Sequence, residues 1–139
     1  METYSRHIIS ELSGCNSDYL EDTDKIREII INAAISANAE VREVAVHKFS
    51  PQGVSGVVVI AESHLSIHTW PEVGYAAIDI FTCGTTTKPQ EACKYLAEQL
   101  EADEIYQTEI KRGIPGQNGR FFHQKANESR SVGGVSQPR

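Results

Sequence analysis

The segment Ala61-Glu62-Ser63-His64-Leu65-Ser66-Ile67-His68-Thr69-Trp70-Pro71-Glu72 gathers a serine flanked by a carboxylate and a histidine, a second histidine, a tryptophan and a second carboxylate. It directly follows the apolar run Gly56-Val57-Val58-Val59-Ile60. Polar groups at the end of a buried strand must be satisfied at a cost, so they form a structural network or do chemistry. Three chemistries fit these residue types. The first is a metal site built on His64 and His68, with His47 as a third ligand. Four residues apart on a strand, the two histidines share a face but stand about 13 Å apart, too far for one ion unless the chain bends. The second is a serine hydrolase. Its nucleophile ordinarily stands on a Gly-x-Ser-x-Gly elbow, whereas Ser63 is flanked by Glu62 and His64. The third is self-processing, in which the Ser63 hydroxyl attacks the Glu62 carbonyl and moves the acyl group from nitrogen to oxygen. β-Elimination of the ester then leaves a dehydroalanine, which hydrolyses to a pyruvoyl group. A ketone beside an amide forms a Schiff base with an amine and draws electrons when a carboxylate leaves. Spacing alone leaves the three readings open.

The elements that must position this segment follow from periodicity. Alternation over residues 5–13 predicts a strand. Ile26, Ile29, Ile30, Ala33, Ala34 and Ala37 make one apolar helix face, capped by Asp22 or Thr23 and ending near Asn38. Strands are predicted over 40–48, 54–61, 64–69, 75–83 and 104–110, with turns at Pro51-Gln52-Gly53 and Pro71-Glu72-Val73-Gly74. On the strand 75–83, Ala76, Ile78 and Ile80 share one face, and Tyr75, Asp79, Phe81 and Cys83 the other. Thr87 and Pro89 open a second helix with the stripe Cys93, Leu96, Ala97 and Leu100. Beyond Gly113 the periodicity stops, and residues 113–139 read as a flexible tail. Two helices and about six strands joined by tight turns predict an α+β fold: a two-layer sandwich of an antiparallel sheet with two helices on one face. The other sheet face must then be solvated or covered by a second copy.

At 139 residues the chain has room for one domain, assigned to residues 1–112. A net charge of −6 and the lack of a basic cluster beyond Lys111-Arg112 argue against a nucleic-acid partner. No apolar run is long enough to span a bilayer, and the polar start resembles no signal peptide. Three cysteines, Cys15, Cys83 and Cys93, without a paired pattern fit a reducing, cytoplasmic compartment. Cys93 reads as core.

The run Gly53 to Ile60, then Glu62-Ser63-His64-Leu65, His68-Thr69-Trp70-Pro71-Glu72, Gly74-Tyr75-Ala76-Ala77-Ile78-Asp79 and Phe81-Thr82-Cys83-Gly84, resembles the short prokaryotic S-adenosylmethionine decarboxylases. Arg6-His7, Glu11-Leu12 and His47-Lys48-Phe49 are similar to that family too, so the resemblance covers about residues 4–112. It implies autocatalytic serinolysis between Glu62 and Ser63, giving chains 1–62 and 63–139. Ser63 would become the pyruvoyl cofactor. Ser55 and His68 would assist the processing, and Cys83 would donate the proton that quenches the carbanion after carbon dioxide leaves. Phe49, Trp70 and Glu72 would bind S-adenosylmethionine: Phe49 by stacking, Trp70 as a hydrophobic wall, Glu72 through polar contacts. His64 would orient the turn. The resemblance assigns no role to His7, His47 or His123, and no metal. It implies a homodimer of cleaved protomers that makes the aminopropyl donor for spermidine synthesis. Arginine or ornithine as substrate of the same chemistry, and an uncut, non-enzymatic relative, are the competing readings.

Overall fold

Apolar residues at alternate strand positions, and at three-to-four spacing on the helices, sort the chain into two layers. The computed structural model describes residues 3–61, 63–132 and 135–138. Its strands are β1 (Ser5–Ser13), β2 (Val41–Lys48), β3 (Val54–Ile60), β4 (Ser63–Trp70), β5 (Tyr75–Cys83), β6 (Glu104–Pro115), β7 (Phe121–Val132) and β8 (Val135–Pro138). Its helices are α1 (Ser17–Glu21), α2 (Thr23–Ser36) and α3 (Pro89–Gln99). The strands form one sheet in the order β2-β3-β4-β5-β1-β6-β7-β8, and every neighbouring pair is antiparallel. The fold is therefore the α+β sandwich that the sequence predicts.

One sheet face is the core. Ile8 and Leu12, Val58 and Ile60, Leu65 and Ile67, and Ile78 and Ile80 are buried against Ile26, Ile29, Ile30 and Ala33 of α2 and Cys93, Leu96 and Ala97 of α3. Each large aliphatic side chain so buried contributes about 1.5–3 kcal/mol. Asp22 caps α2 by accepting the Lys25 amide, and Pro89 starts α3 where a missing N–H costs nothing. The helix layer sits close because β3 carries Gly56. A Cβ there would lie 2.9 Å from Ile30 Cδ1 and 3.4 Å from Ile67 Cγ2, so a larger residue would force the Ile30 side chain to shift.

The other face carries no helix among the described residues. It presents Ser55, Val57 and Val59 from β3, His64, Ser66, His68 and Trp70 from β4, Asp79, Phe81 and Cys83 from β5, and His7, Ile9 and Glu11 from β1. Ile9, Val59 and Trp70 are exposed on it.

The structure departs from the periodicity reading in two places. α1 is an added single turn, too short for periodicity to report, although Asn16 caps it by accepting the Asp18 and Tyr19 amides. Residues past Gly113, expected to lack regular structure, instead complete β6 and form β7 and β8. Alternation is missing in β7 because neither of its faces meets the core. The strand is held by its ladder to β6 and by cross-strand side-chain links, Arg130 to Glu104 and Tyr106 to Glu128. Only an apolar face writes period two into a sequence.

α1 is tied to the sheet by Thr69, a buried residue of β4. Its Oγ1 donates to the Leu20 carbonyl at 2.8 Å and accepts the Val54 amide at 2.9 Å. Thr69→Val keeps the shape and removes both bonds, leaving buried backbone groups unpaired. It should cost about 1–3 kcal/mol in urea denaturation, and an unchanged midpoint would show the hydroxyl to be idle.

Candidate active site

The β3–β4 hairpin pairs Ile60 with Ser63, so Ser63 is the first residue of β4, directly after the tight connection. Glu62, the other half of the expected scissile bond, lies outside the described residues. Ser63 Oγ accepts the backbone N–H of Cys83 at 3.0 Å. That bond joins the start of β4 to the end of β5. The Cys83 side chain, by alternation, belongs to the open face, and Cys83 pairs with Ser5 on the neighbouring β1. Cys83 is a free thiol of intermediate burial. The Ser63 side chain and the Cys83 backbone are thus brought together, with the thiol directed to the open face.

His68 is not near them. It lies five residues further along the same strand, and an extended chain rises about 3.3–3.4 Å per residue, placing the two Cα atoms about 17 Å apart. His68 Nδ1 instead shares a 2.7 Å hydrogen bond with Ser55 Oγ, because β3 and β4 set Ser55 and His68 opposite each other. Beyond this pair the remaining predicted residues converge. Phe49, Gln52, Ser55, His68, Trp70 and Glu72 line one cavity of about 230 Å³. The turn after β2 aims Phe49 there: the Phe49 amide donates to the Gly53 carbonyl at 2.8 Å, and the Gly53 amide donates to Glu21 at 2.9 Å. Trp70 stacks on Tyr75 with centroids 5.0 Å apart, and Tyr75 donates to Glu11 at 2.5 Å. Burial, followed by the Glu11 hydrogen bond and charge, raises the Tyr75 pKa to about 12, so the phenol stays a donor. Phe49 itself is half exposed and makes an edge contact with His47.

The predicted residues therefore form two groups at opposite ends of β4: Ser63 with Cys83, and Ser55, His68, Phe49, Trp70 and Glu72. Between them, nearer Ser63, lies a cluster that periodicity did not single out. His7 hydrogen-bonds Asp79, its ring meets His64 and Phe81 edge-on, and His64 stacks on Phe81 with centroids 5.6 Å apart. Arg112 lies over Phe81 and 3.2 Å from His7 Nδ1. The His7 hydrogen bond, helped by the charges of His7, His64 and Arg112, holds the Asp79 carboxyl below its ordinary range despite partial burial. Alternation alone put Asp79 and Phe81 on the face of Cys83. The contributions of His7 and Arg112 depend on β1 pairing with both β5 and β6, which no local pattern encodes. His64 thus packs in this cluster on Phe81. Among the described residues no three histidine, cysteine or acidic side chains gather to hold a metal ion.

Residues 6–113 match the S-adenosylmethionine decarboxylase family. The chain is 56% identical to the S-adenosylmethionine decarboxylase proenzyme of Moorella thermoacetica over 114 residues, covering 82% of this chain and 91% of that protein. It is 58% identical to the proenzyme of the same description from Pelotomaculum thermopropionicum, with 82% and 90% covered. Its fold superposes on the crystal structure of the adenosylmethionine decarboxylase of Aquifex aeolicus with a TM-score of 0.76 at 35% identity, covering 86% of this chain and 99% of that one. A hairpin serine held by the Cys83 amide, on a sheet of this topology, is thus found in a chain that belongs to the S-adenosylmethionine decarboxylase family.

Proposed function

We propose that this chain is a self-cleaving proenzyme that decarboxylates S-adenosylmethionine, with the cut between Glu62 and Ser63. The observation that carries the reading is the bond from the Cys83 amide to Ser63 Oγ. It supports the reading by holding the hydroxyl proposed as nucleophile against the backbone of the residue proposed as proton donor. The pyruvoyl group that Ser63 would become supplies an electron sink for the substrate's amine-bearing carbon. Ser63 fits that role because it stands at a hairpin end, where a chain break leaves both strands held by their own ladders. The Cys83 thiol then returns a proton to that carbon after carbon dioxide departs. Phe49 and Trp70 offer ring faces to the adenine, and Glu72 offers an acceptor to the ribose or a counter-charge to the sulfonium. Arginine or ornithine as substrate finds no support. The relatives are described as S-adenosylmethionine decarboxylase proenzymes, and the pocket presents two aromatic rings beside one carboxylate.

The active unit in this proposal is a homodimer. Within one protomer, Ser63 and Cys83 lie about 17 Å or more from the histidine and the aromatic residues they must work with. The open sheet face carries Cys83 at the Ser63 end and Ser55 and His68 at the other, together with exposed Ile9, Val59 and Trp70. A two-fold axis through that face lays β4 antiparallel across its copy. Each Ser63–Cys83 end then meets the partner's Ser55–His68 pair and its Phe49, Trp70 and Glu72. His68, hydrogen-bonded and so oriented by Ser55, serves there as the proton acceptor for cleavage. No helix among the described residues is long and apolar enough to cross a membrane. Three free cysteines support a reducing, cytoplasmic setting.

Intact-mass measurement tests the proposal. The purified chain should resolve into residues 1–62 and a pyruvoyl-headed 63–139, and Ser63→Ala should remain one uncut, inactive chain. Active protein that keeps the peptide bond before residue 63 would overturn the reading. Cys83→Ala should still be cut but decarboxylate about 10²–10⁴-fold more slowly; near-normal turnover would move the proton-donor role to another group.

A further inference from the structure

Ser63 lies one register step beyond the His64–Phe81 pair, which sets it across from Thr82 on β5. Alternation places both on the helix side of the sheet, beside Leu65 and Ile80. Cross-strand neighbours of this kind have Cβ atoms about 4.5–5.5 Å apart, within reach of a hydrogen bond between short hydroxyl side chains. Thr82 is 1% exposed, and its Oγ1 has no hydrogen-bond partner among the described residues. A buried hydroxyl left unpaired costs about 1–3 kcal/mol, whereas valine would fill the same volume without that penalty. Among the described residues Thr82 is therefore a buried donor without an acceptor, one cross-strand step from an oxygen that must carry charge when the chain is cut.

We propose that Thr82 is a catalytic residue of the self-cleavage, its hydroxyl donating to Ser63 Oγ as the second donor beside the Cys83 N–H. The inference rests on the reading of Ser63 as the cleavage site. Ser63 Oγ gives up its proton to a base and attacks the Glu62 carbonyl carbon. The new C–O bond forms as the carbonyl π pair moves onto its oxygen. Collapse re-forms the carbonyl and breaks the C–N bond, with the nitrogen taking up the proton. Removal of the Ser63 α-proton then sends that electron pair into a Cα=Cβ bond. The Cβ–Oγ bond breaks, and Oγ leaves within the Glu62 carboxylate. Water hydrolyses the resulting dehydroalanine and ammonia departs. Oγ carries negative charge when it is deprotonated and again when it leaves, and a fixed donor aimed at it favours the deprotonation and stabilises the departing oxygen.

The test uses the full chain with Thr82→Val and Thr82→Ser, following the appearance of chains 1–62 and 63–139 by intact mass. Thr82→Val should lengthen the cleavage half-time by about 10²-fold, and Thr82→Ser, which keeps the hydroxyl, should stay within a few-fold of the parent. Brief treatment with hydroxylamine, which splits esters, should reveal accumulated ester in Thr82→Val if elimination is the slowed step. The uncut pair Ser63→Ala and Ser63→Ala/Thr82→Val should unfold at the same or a higher urea midpoint with valine present. Cleavage of Thr82→Val at the parental rate would overturn the assignment. So would a lower urea midpoint for Ser63→Ala/Thr82→Val, which would mean that the hydroxyl already has a structural partner. Failure of the parent chain to cut at all would instead remove the cleavage reading on which the inference rests.

Discussion

An extended strand cannot fold back to bring its two ends together. Residues at the two ends of β4 are held apart by the rise of the backbone, and every feature of the site follows from that separation. Ser63 begins the strand, His68 sits five residues on, and Trp70 closes it. The β3 register then fixes Ser55 beside His68, and the β5 register fixes Cys83 beside Ser63. The ladder therefore gathers the candidate residues into two groups at opposite ends of β4, the two halves of the site in the proposed dimer.

The two layers explain why such halves persist. All large aliphatic side chains of the core go to one side of the sheet, where Gly56 lets α2 approach closely. The opposite side carries polar and aromatic groups beside Ile9, Val57 and Val59, and the polar ones are satisfied only partly among themselves, through pairs such as His7 with Asp79 and His64 with Phe81. Laying a second sheet across this face would bury Ile9, Val59 and Trp70 and strengthen these charged contacts by excluding water. The Arg112 guanidinium, delivered by β6, would then stay balanced by Asp79 rather than stranded.

Much of this was legible in the sequence wherever burial imposes a period. The α2 stripe from Ile26 to Ala37 and the alternation of Ala76, Ile78 and Ile80 against Tyr75, Asp79 and Phe81 appear in the structure as read. The types of the site residues were also legible, as a dense polar segment after an apolar run. Their grouping was not, because proximity across a sheet depends on register. Ser63 meets Cys83, and Ser55 meets His68, through pairings twenty and thirteen residues apart in the chain. The β7 strand was illegible for a different reason: with no core beneath it, its ladder constrains backbone and leaves the side chains free to be polar.

Mixing two inactive chains tests the shared site most directly. Ser63→Ala lacks the nucleophile but keeps Glu72, and Glu72→Gln keeps the nucleophile but lacks the carboxylate. Co-expressed with distinguishable tags and purified as the mixed dimer, the pair should recover S-adenosylmethionine decarboxylation that neither parent dimer shows, since one of its two sites joins an intact Ser63–Cys83 end to an intact Glu72. A mixed dimer as inactive as both parents, beside a fully active wild-type dimer carrying the same tags, would contradict a site built from two chains.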